Sequence, residues 1–258
     1  MSWTDWKDLT SDEIRELARP DTVAVLPVAA IEQHGPHLPL ATDAIINDGI
    51  IAAARSAAAN ESSPVLVLPA LAIGHSLEHT SFPGTLTIDA KTLLDVWTDI
   101  GRSVARAGID KLVVLNTHGG QRSLVDLLAV RLRAELRLVV VRASYFAFGM
   151  PEGLFDSGEL ARGIHGGEVE TSLMLHLAPD AVRRDALADF TSTIDDYATE
   201  HTVLGIEKPV GIGWLSEDLN PLGVCGNAAR ADAERGRVYL EHIAKQLLTL
   251  CTELANVD

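Results

Sequence analysis

The sequence predicts a three-layer α/β fold, a mostly parallel central sheet sandwiched between helices. Three observations predict it: apolar runs of strand length recur, stretches of helical spacing separate them, and most of the runs lead into polar loops that carry histidine. The first run, residues 23–31 (VAVLPVAAI), is apolar on both faces, as a strand covered by two helical layers must be, and leads directly into Glu-Gln-His-Gly-Pro-His. Residues 44–59, rich in Ala and Ile, follow as a helix. A second run, 65–73, ends at Gly74-His75. Over 89–107, Leu93, Leu94, Trp97, Ile100 and Val104 recur three and four apart, the stripe of an amphipathic helix. The run 112–115 ends in Asn-Thr-His-Gly-Gly, a helix over 122–136 follows, and the fourth run is 138–141. Helical crossovers of this length join parallel strands and place helices on both faces. A long amphipathic helix over about 229–253 closes the chain. Pro64, Pro83 and Pro221 punctuate loops, and with no linker composition or repeat the whole of 1–258 reads as one domain.

Composition removes several classes of function. With 47% apolar residues and no long polar or Pro-rich tract, the chain has the material for a large core and is not disordered. The formal charge of -15 repels a phosphate backbone and an anionic membrane surface, so no nucleic acid and no membrane are expected as partners. The N-terminus lacks the basic and apolar regions of a signal peptide, no apolar run is long enough to span a bilayer, and a cytoplasmic location is expected. Cys225 and Cys251 are too few for a disulfide framework or a Cys-based zinc site, which leaves His and carboxylates as metal ligands. Trp3, Trp6, Trp97 and Trp214 read as core or subunit contacts.

Ligands of open parallel sheets bind beyond the carboxyl ends of the strands, and that is where the histidines and acids fall. In an extended segment residues two apart point the same way, so Glu32 and His34 face one point just past the first strand. Asp43, nine residues after His34 and just before a helical stretch, offers two oxygens that can serve two cations. His118 adds a nitrogen from the loop after the third strand, with Gly119 and Gly120 permitting close approach. Mixed imidazole and carboxylate ligation suits Zn, Mn, Fe(II) or Co, and this many ligands supports two ions. In His165-Gly-Gly-Glu168-Val-Glu170 a helix begins, on which the two glutamates lie about 200° apart, so only one of them faces a common site.

The segments Glu32-Gln-His34-Gly-Pro-His-Leu-Pro-Leu-Ala-Thr-Asp43, Phe82-Pro-Gly-Thr85, Asn116-Thr-His118-Gly-Gly-Gln121 and His165-Gly-Gly-Glu-Val-Glu170-Thr-Ser resemble, in order and spacing, the motifs of the creatininase (creatinine amidohydrolase) family, and Gly223-Val-Cys-Gly-Asn resembles a further one. The resemblance spans positions 23 to about 236. It implies a three-layer α/β fold, two divalent metal ions per chain (Zn, Mn or Fe), hydrolysis of an amide-type C–N bond in a small molecule, and a homo-oligomer, a hexamer or similar. Carried over by position, one metal is held by Glu32, Asp43 and His118 and the other by His34, Asp43 and a glutamate. In creatininases proper that glutamate lies two residues after the His118 position, where Gly120 stands here. The chain therefore resembles members with His-Gly-Gly, and Glu170 is the expected ligand, with Glu168 as the fallback. Creatininases proper also carry an aromatic residue and an acid before the His165 position. Ala161 and Arg162 stand there, so creatinine is a poor substrate candidate and Arg162 suits an anionic group.

The mechanism expected is attack by a metal-activated water on a polarised carbonyl. Backbone N–H groups around Gly119 and Gly120 assist the tetrahedral anion, His165 protonates the leaving nitrogen, and Glu170 completes the catalytic pair. Ser76 is expected to contact substrate, and His37 and His79 to support the ligands. Three rivals stand beside a lactam or formamide hydrolase. A peptidase resembling the mycofactocin-maturing members shares these ligands. A non-catalytic nucleotide-binding α/β protein lacks support, since no Gly-x-Gly-x-x-Gly and no Gly-Lys-Ser/Thr loop is present. Catalysis by Cys225 lacks an identifiable base.

Overall fold

A computed structural model describes residues 3–58, 63–207 and 210–257. The sheet has five strands, β1 (Trp3–Asp5), β2 (Val23–Val28), β3 (Val65–Val67), β4 (Lys111–Asn116) and β5 (Val139–Ser144), in the order β1-β3-β2-β4-β5 with every pair parallel. The helices are α1 (Ser11–Leu17), α2 (Thr42–Ala57), α3 (Ala90–Arg106), α4 (Arg122–Leu136), α5 (Ser157–Arg162), α6 (Glu168–Leu177), α7 (Ile194–Glu200), α8 (Ser216–Leu219) and α9 (Ala233–Ala255).

Alternation along β2 divides the core between two layers. Val23 and Val25 pack with Ile46, Ile50, Leu173, Ile243 and Leu247 beneath α2, α6 and α9. Ala24, Leu26 and Val28 face the opposite way, onto Leu93, Trp97, Leu128 and Leu132 of α3 and α4. Each such fully buried aliphatic side chain contributes about 1.5–3 kcal/mol. Helix starts follow local chemistry: the Asp89 carboxylate accepts from the Lys91 and Thr92 N–H groups, and Asp232 accepts from Arg235 N–H.

Four expectations are corrected in detail. Strand pairing from the first run stops at Val28, and that from the second at Val67, because the chain leaves the ladder to build loops: Ala29 N–H bonds Leu71 O, and Glu32 N–H bonds Leu40 O. The helix expected at 44 begins at Thr42, which puts Asp43 inside its first turn. The last helix begins at Ala233, after a 3-10 turn over Ala228–Arg230 and the Asp232 cap. The edge strand β1 was not anticipated, since three residues show no period. Trp3 and Trp97 are buried in the two cores. Among the described residues no helix is long and apolar enough to cross a membrane.

From β2 the chain crosses beneath one face to β3, whereas from β4 it crosses the other face to β5. The switch point therefore lies between β2 and β4, and a crevice opens where their following loops part.

Candidate metal centre

At that crevice the loop after β2 supplies Glu32 and His34, the first turn of α2 supplies Asp43, the loop after β4 supplies His118, and the start of α6 supplies Glu170. Close packing requires two glycines in the left-handed region. Gly35 has φ 68° and Gly166 φ 66°, and a Cβ on either would lie 2.7 and 2.6 Å from Val224. Val224 thus wedges the residue 32–37 loop against the residue 165–167 loop. The β4 loop is held by side-chain amides: Asn116 Nδ2 donates to His118 O (2.7 Å), and Gln121 Nε2 donates to Asn116 Oδ1 (2.9 Å). Thr117 Oγ1 donates to the Asp43 carbonyl (2.9 Å), tying that loop to α2.

The hydrogen bonds of each imidazole decide which nitrogen it offers. His34 Nδ1 sits 3.1 Å from the Glu32 carbonyl and donates there, which makes Nε2, 3.3 Å from Asp43 Oδ1, the nitrogen turned into the crevice. His118 Nε2 donates to His75 O (2.8 Å), and its Nδ1 lies 3.2 Å from Glu32 Oε1 and 3.5 Å from Asp43 Oδ2. Asp43 therefore faces both imidazoles with different oxygens. His79 accepts at Nδ1 from Gln33 Nε2 (2.8 Å) and turns Nε2 toward Glu32 Oε1 (3.4 Å), orienting that carboxylate. Gln33, whose Oε1 also accepts from Gly35 N–H (2.9 Å), is a support the sequence reading passed over.

The two glutamates of α6 separate as helical geometry requires. Glu170 turns into the crevice, where its Oε2 accepts from Gly166 N–H (2.6 Å) and Tyr145 OH approaches its Oε1 (3.4 Å). Glu168 points away and pairs with Arg235. His165 is buried between His34 and His79, each ring centroid 4.3 Å away. Its Nε2 donates to Gln33 O (2.7 Å), and Nδ1 faces Glu32 Oε1 at 3.8 Å. Ser76 Oγ lies 3.4 Å from His118 Nε2. Nothing lies within 4 Å of a Cβ built on Gly119. Arg162 is exposed and bonded to Asp195 (3.3 Å) and Gly158 O (3.1 Å), so the structure does not bring its guanidinium into the cluster. His37 bonds Gly166 O (2.9 Å) and Thr171 Oγ1 (3.1 Å); it supports the His165 loop in place of a ligand. Glu78 and Tyr145 also reach the crevice, and no local pattern in the sequence marks either.

Three sets of ligand atoms each converge within 4.8 Å: Glu32, Asp43 and His118; His34, Asp43 and Glu170; and Glu32, His34 and His165. Glu32 Oε2, Asp43 Oδ2 and His34 Nε2 are buried without a hydrogen-bond partner. Buried polar atoms are ordinarily bonded, so orphan atoms on the residues of these converging sets fit cation ligands. Protonation agrees. Although burial opposes charge on an imidazole, the Glu32 carboxylate pushes His118 up to about 10 and Asp43 pushes His34 up to about 9. Burial and then Glu32 raise Asp43 to about 7. Glu32 is held well below the carboxylate range despite its burial, chiefly by His118. The cluster gathers positive charge as protons where cations would stand. His165, by contrast, is lowered to about 4 by burial and by His34, and is neutral near pH 7. Burial pushes the Cys225 thiol up to about 11, which removes its nucleophilic form.

Known proteins carry the same framework. The sequence profile of the creatininase family, described as creatinine amidohydrolase, matches residues 7–251. A mycofactocin precursor peptide peptidase of Mycobacterium ulcerans is 32% identical over 217 residues, 83% of this chain and 78% of that protein. A creatinine amidohydrolase of Pseudomonas putida is 34% identical over 201 residues, 71% of this chain and 74% of that protein. The crystal structure of a protein described as a creatinine amidohydrolase from Bacteroides fragilis aligns with a TM-score of 0.79 at 25% identity, covering 100% of this chain and 98% of that one. A manganese creatininase aligns at 0.76 and 26% identity, covering 98% and 99%.

Proposed function

The chain belongs to the creatininase (creatinine amidohydrolase) family, and from that premise we propose that it hydrolyses the C–N bond of a small amide, of lactam or formamide type, at a pair of divalent cations. The observation that carries this reading is the pair of ligand triads sharing Asp43, with their buried orphan atoms. Glu32, Asp43 and His118 would hold one cation, and His34, Asp43 and Glu170 the other. When bound, two such ions, Zn, Mn or Fe, would supply carbonyl polarisation and a water acidic enough to be nucleophilic near neutral pH.

The chain's own groups do the rest. Glu170, fixed by Gly166 N–H, stands opposite Asp43 across the second triad and closes the crevice on the α6 side. Gly119 leaves open space beside the His118 loop, where its backbone can approach a substrate carbonyl. His165 moves the proton to the leaving nitrogen through Nδ1, because Nε2 is engaged with Gln33 O, and its lowered pKa makes it neutral and ready to accept that proton first. Glycine at 119 and 120, with Ala161 and Arg162 before His165, argues for a substrate other than creatinine. A short peptide is the second reading, favoured by the breadth of similarity to the Mycobacterium ulcerans peptidase, which spans 83% of this chain.

Metal content of protein purified without chelator is the test, with Asp43→Ala and His118→Ala in parallel. Close to two ions per chain in the wild type, reduced in both variants, is expected, followed by turnover within a panel of lactams, formamides and short peptides. A chain that binds no Zn, Mn or Fe on titration overturns the reading.

A further inference from the structure

Glu78 lies outside both ligand triads, in the 3-10 turn Leu77–His79 that follows Ser76. Its side chain crosses to the His118 loop and fills the space a side chain at position 120 would take: a Cβ built on Gly120 would lie 1.7 Å from Glu78 Oε1. The residue 120 position is thus glycine in sequence but carboxylate in space.

Two structural roles for this carboxylate are already occupied by other groups. Orienting His118 is done by His75 O, which accepts from Nε2 at 2.8 Å, whereas Glu78 Oε1 stands off at 3.6 Å. Ligating a cation is done on the opposite edge of the ring, where His118 Nδ1 meets Glu32 and Asp43. No other residue among those described donates a hydrogen bond to the Glu78 carboxylate. The nearest arginine on this loop, Arg122, is bonded to Gly119 O (3.2 Å) and Glu207 (2.8 Å). Meanwhile the Ser216 hydroxyl fixes the Glu78 backbone by donating to its carbonyl (2.7 Å), and the side chain remains 16% exposed at the crevice. A carboxylate anchored at its root, 3.6 Å from a single imidazole at its tip and partly open to solvent beside the ligand cluster is placed to receive something that enters.

We propose that Glu78 is the substrate-recognition carboxylate of this site, and that it selects amides carrying a cationic N–H group, an ammonium or amidinium, beside the bond to be cleaved. The assignment rests on the amidohydrolase reading for its reaction but on the Glu78–Gly120 interlock for its residue. Glu32, Asp43 and Glu170 belong to the ligand sets, whereas Glu78 meets only the Nε2 edge of His118, at 3.6 Å, and keeps its solvent-facing edge for a ligand. A charge-assisted hydrogen bond in a partly desolvated crevice discriminates strongly against the neutral counterpart.

The probes are leucinamide and N-acetylleucinamide, which differ in the ammonium group, titrated calorimetrically into the metal-loaded protein at a pH that keeps the amine protonated. Wild type is expected to bind leucinamide about tenfold or more tighter. Glu78→Gln brings the ratio near one with metal content unchanged. Gly120→Ala, which pushes the carboxylate aside without removing its charge, lowers the ratio as well and covers a fold defect in the first variant. A wild-type ratio near one, no binding of either probe, a ratio untouched by Glu78→Gln, or loss of metal in that variant overturns the proposal. Selective binding without any hydrolysis counts against the amidohydrolase reading and leaves the recognition role of Glu78 standing.

Discussion

Two groups of carboxylates, sharing the start of α6 but turned to different sides of it, meet opposite fates. In the first group, Glu159 accepts from the backbone N–H groups of Glu168 (2.8 Å) and Asn227 (2.9 Å), while Glu168 pairs through one oxygen with Arg235 and turns the other, which has no hydrogen bond, to the Arg230 guanidinium at 3.9 Å. In the second, Glu32, Asp43 and Glu170 face imidazoles, and Glu32 and Asp43 each keep an oxygen without a partner. A buried acid answered by cations and N–H groups is a brace. One left unanswered is a socket, because the fold bears its desolvation only if something else completes it.

The sharpest way to break this comparison is to exchange neighbours on α6. Glu170→Gln is expected to weaken metal at the second triad and reduce amide turnover by about 10³-fold or more, since metal polarisation contributes several kcal/mol, with thermal stability of the metal-free protein nearly unchanged. Glu168→Ala is expected to do the reverse: metal content stays, and denaturant unfolding shows a loss of about 3 kcal/mol because the half-buried Arg235 loses its carboxylate and keeps only Arg230 O and the Phe155 ring. Equal effects of the two on metal content would erase the distinction.

Smaller effects sharpen it. His79→Ala removes the group turned toward Glu32 and should cost about 10–100-fold in metal affinity, measured by chelator competition. Metal uptake should also release protons, since His118 and His34, raised to about 10 and about 9, hold protons at neutral pH that a cation must displace. Affinity therefore rises with pH toward those values and falls as pH drops, and calorimetry in buffers of different ionisation enthalpy reads the release. In the metal-free protein the sign is opposite: these raised values stabilise the fold fully below the unfolded value of about 6.5, and that contribution fades as pH climbs through 9 to 10. Smallest of all, Cys225→Ala should leave turnover unchanged and cost about 1 kcal/mol, as expected of a buried thiol packed near Ile206 and Leu219.

Legibility in the sequence followed the range of the forces involved. The runs through β2 and β4 and the stripe of α3 were plain, because burial on both faces or on one stripe writes itself into local periodicity. Strand ends were misjudged at Val28 and Val67, where the chain stays apolar after leaving the ladder for the crevice. Helical geometry alone separated Glu168 from Glu170, while the choice of Glu170 came from the resemblance. Arg162 could not be placed from its position before His165, because its partner Asp195 lies on α7, far along the chain.

By itself the sequence determined the layer architecture, the strand-end location of the site and the types of ligand atom available, all properties of residues near one another in the chain. Only the tertiary structure decided which nitrogen of His34 and His118 faces the carboxylates, that Gln33 and His79 brace Glu32, and that Glu78 stands over Gly120. Those depend on hydrogen bonds and excluded volume between segments distant in sequence, and a one-dimensional pattern carries no record of who will be opposite whom.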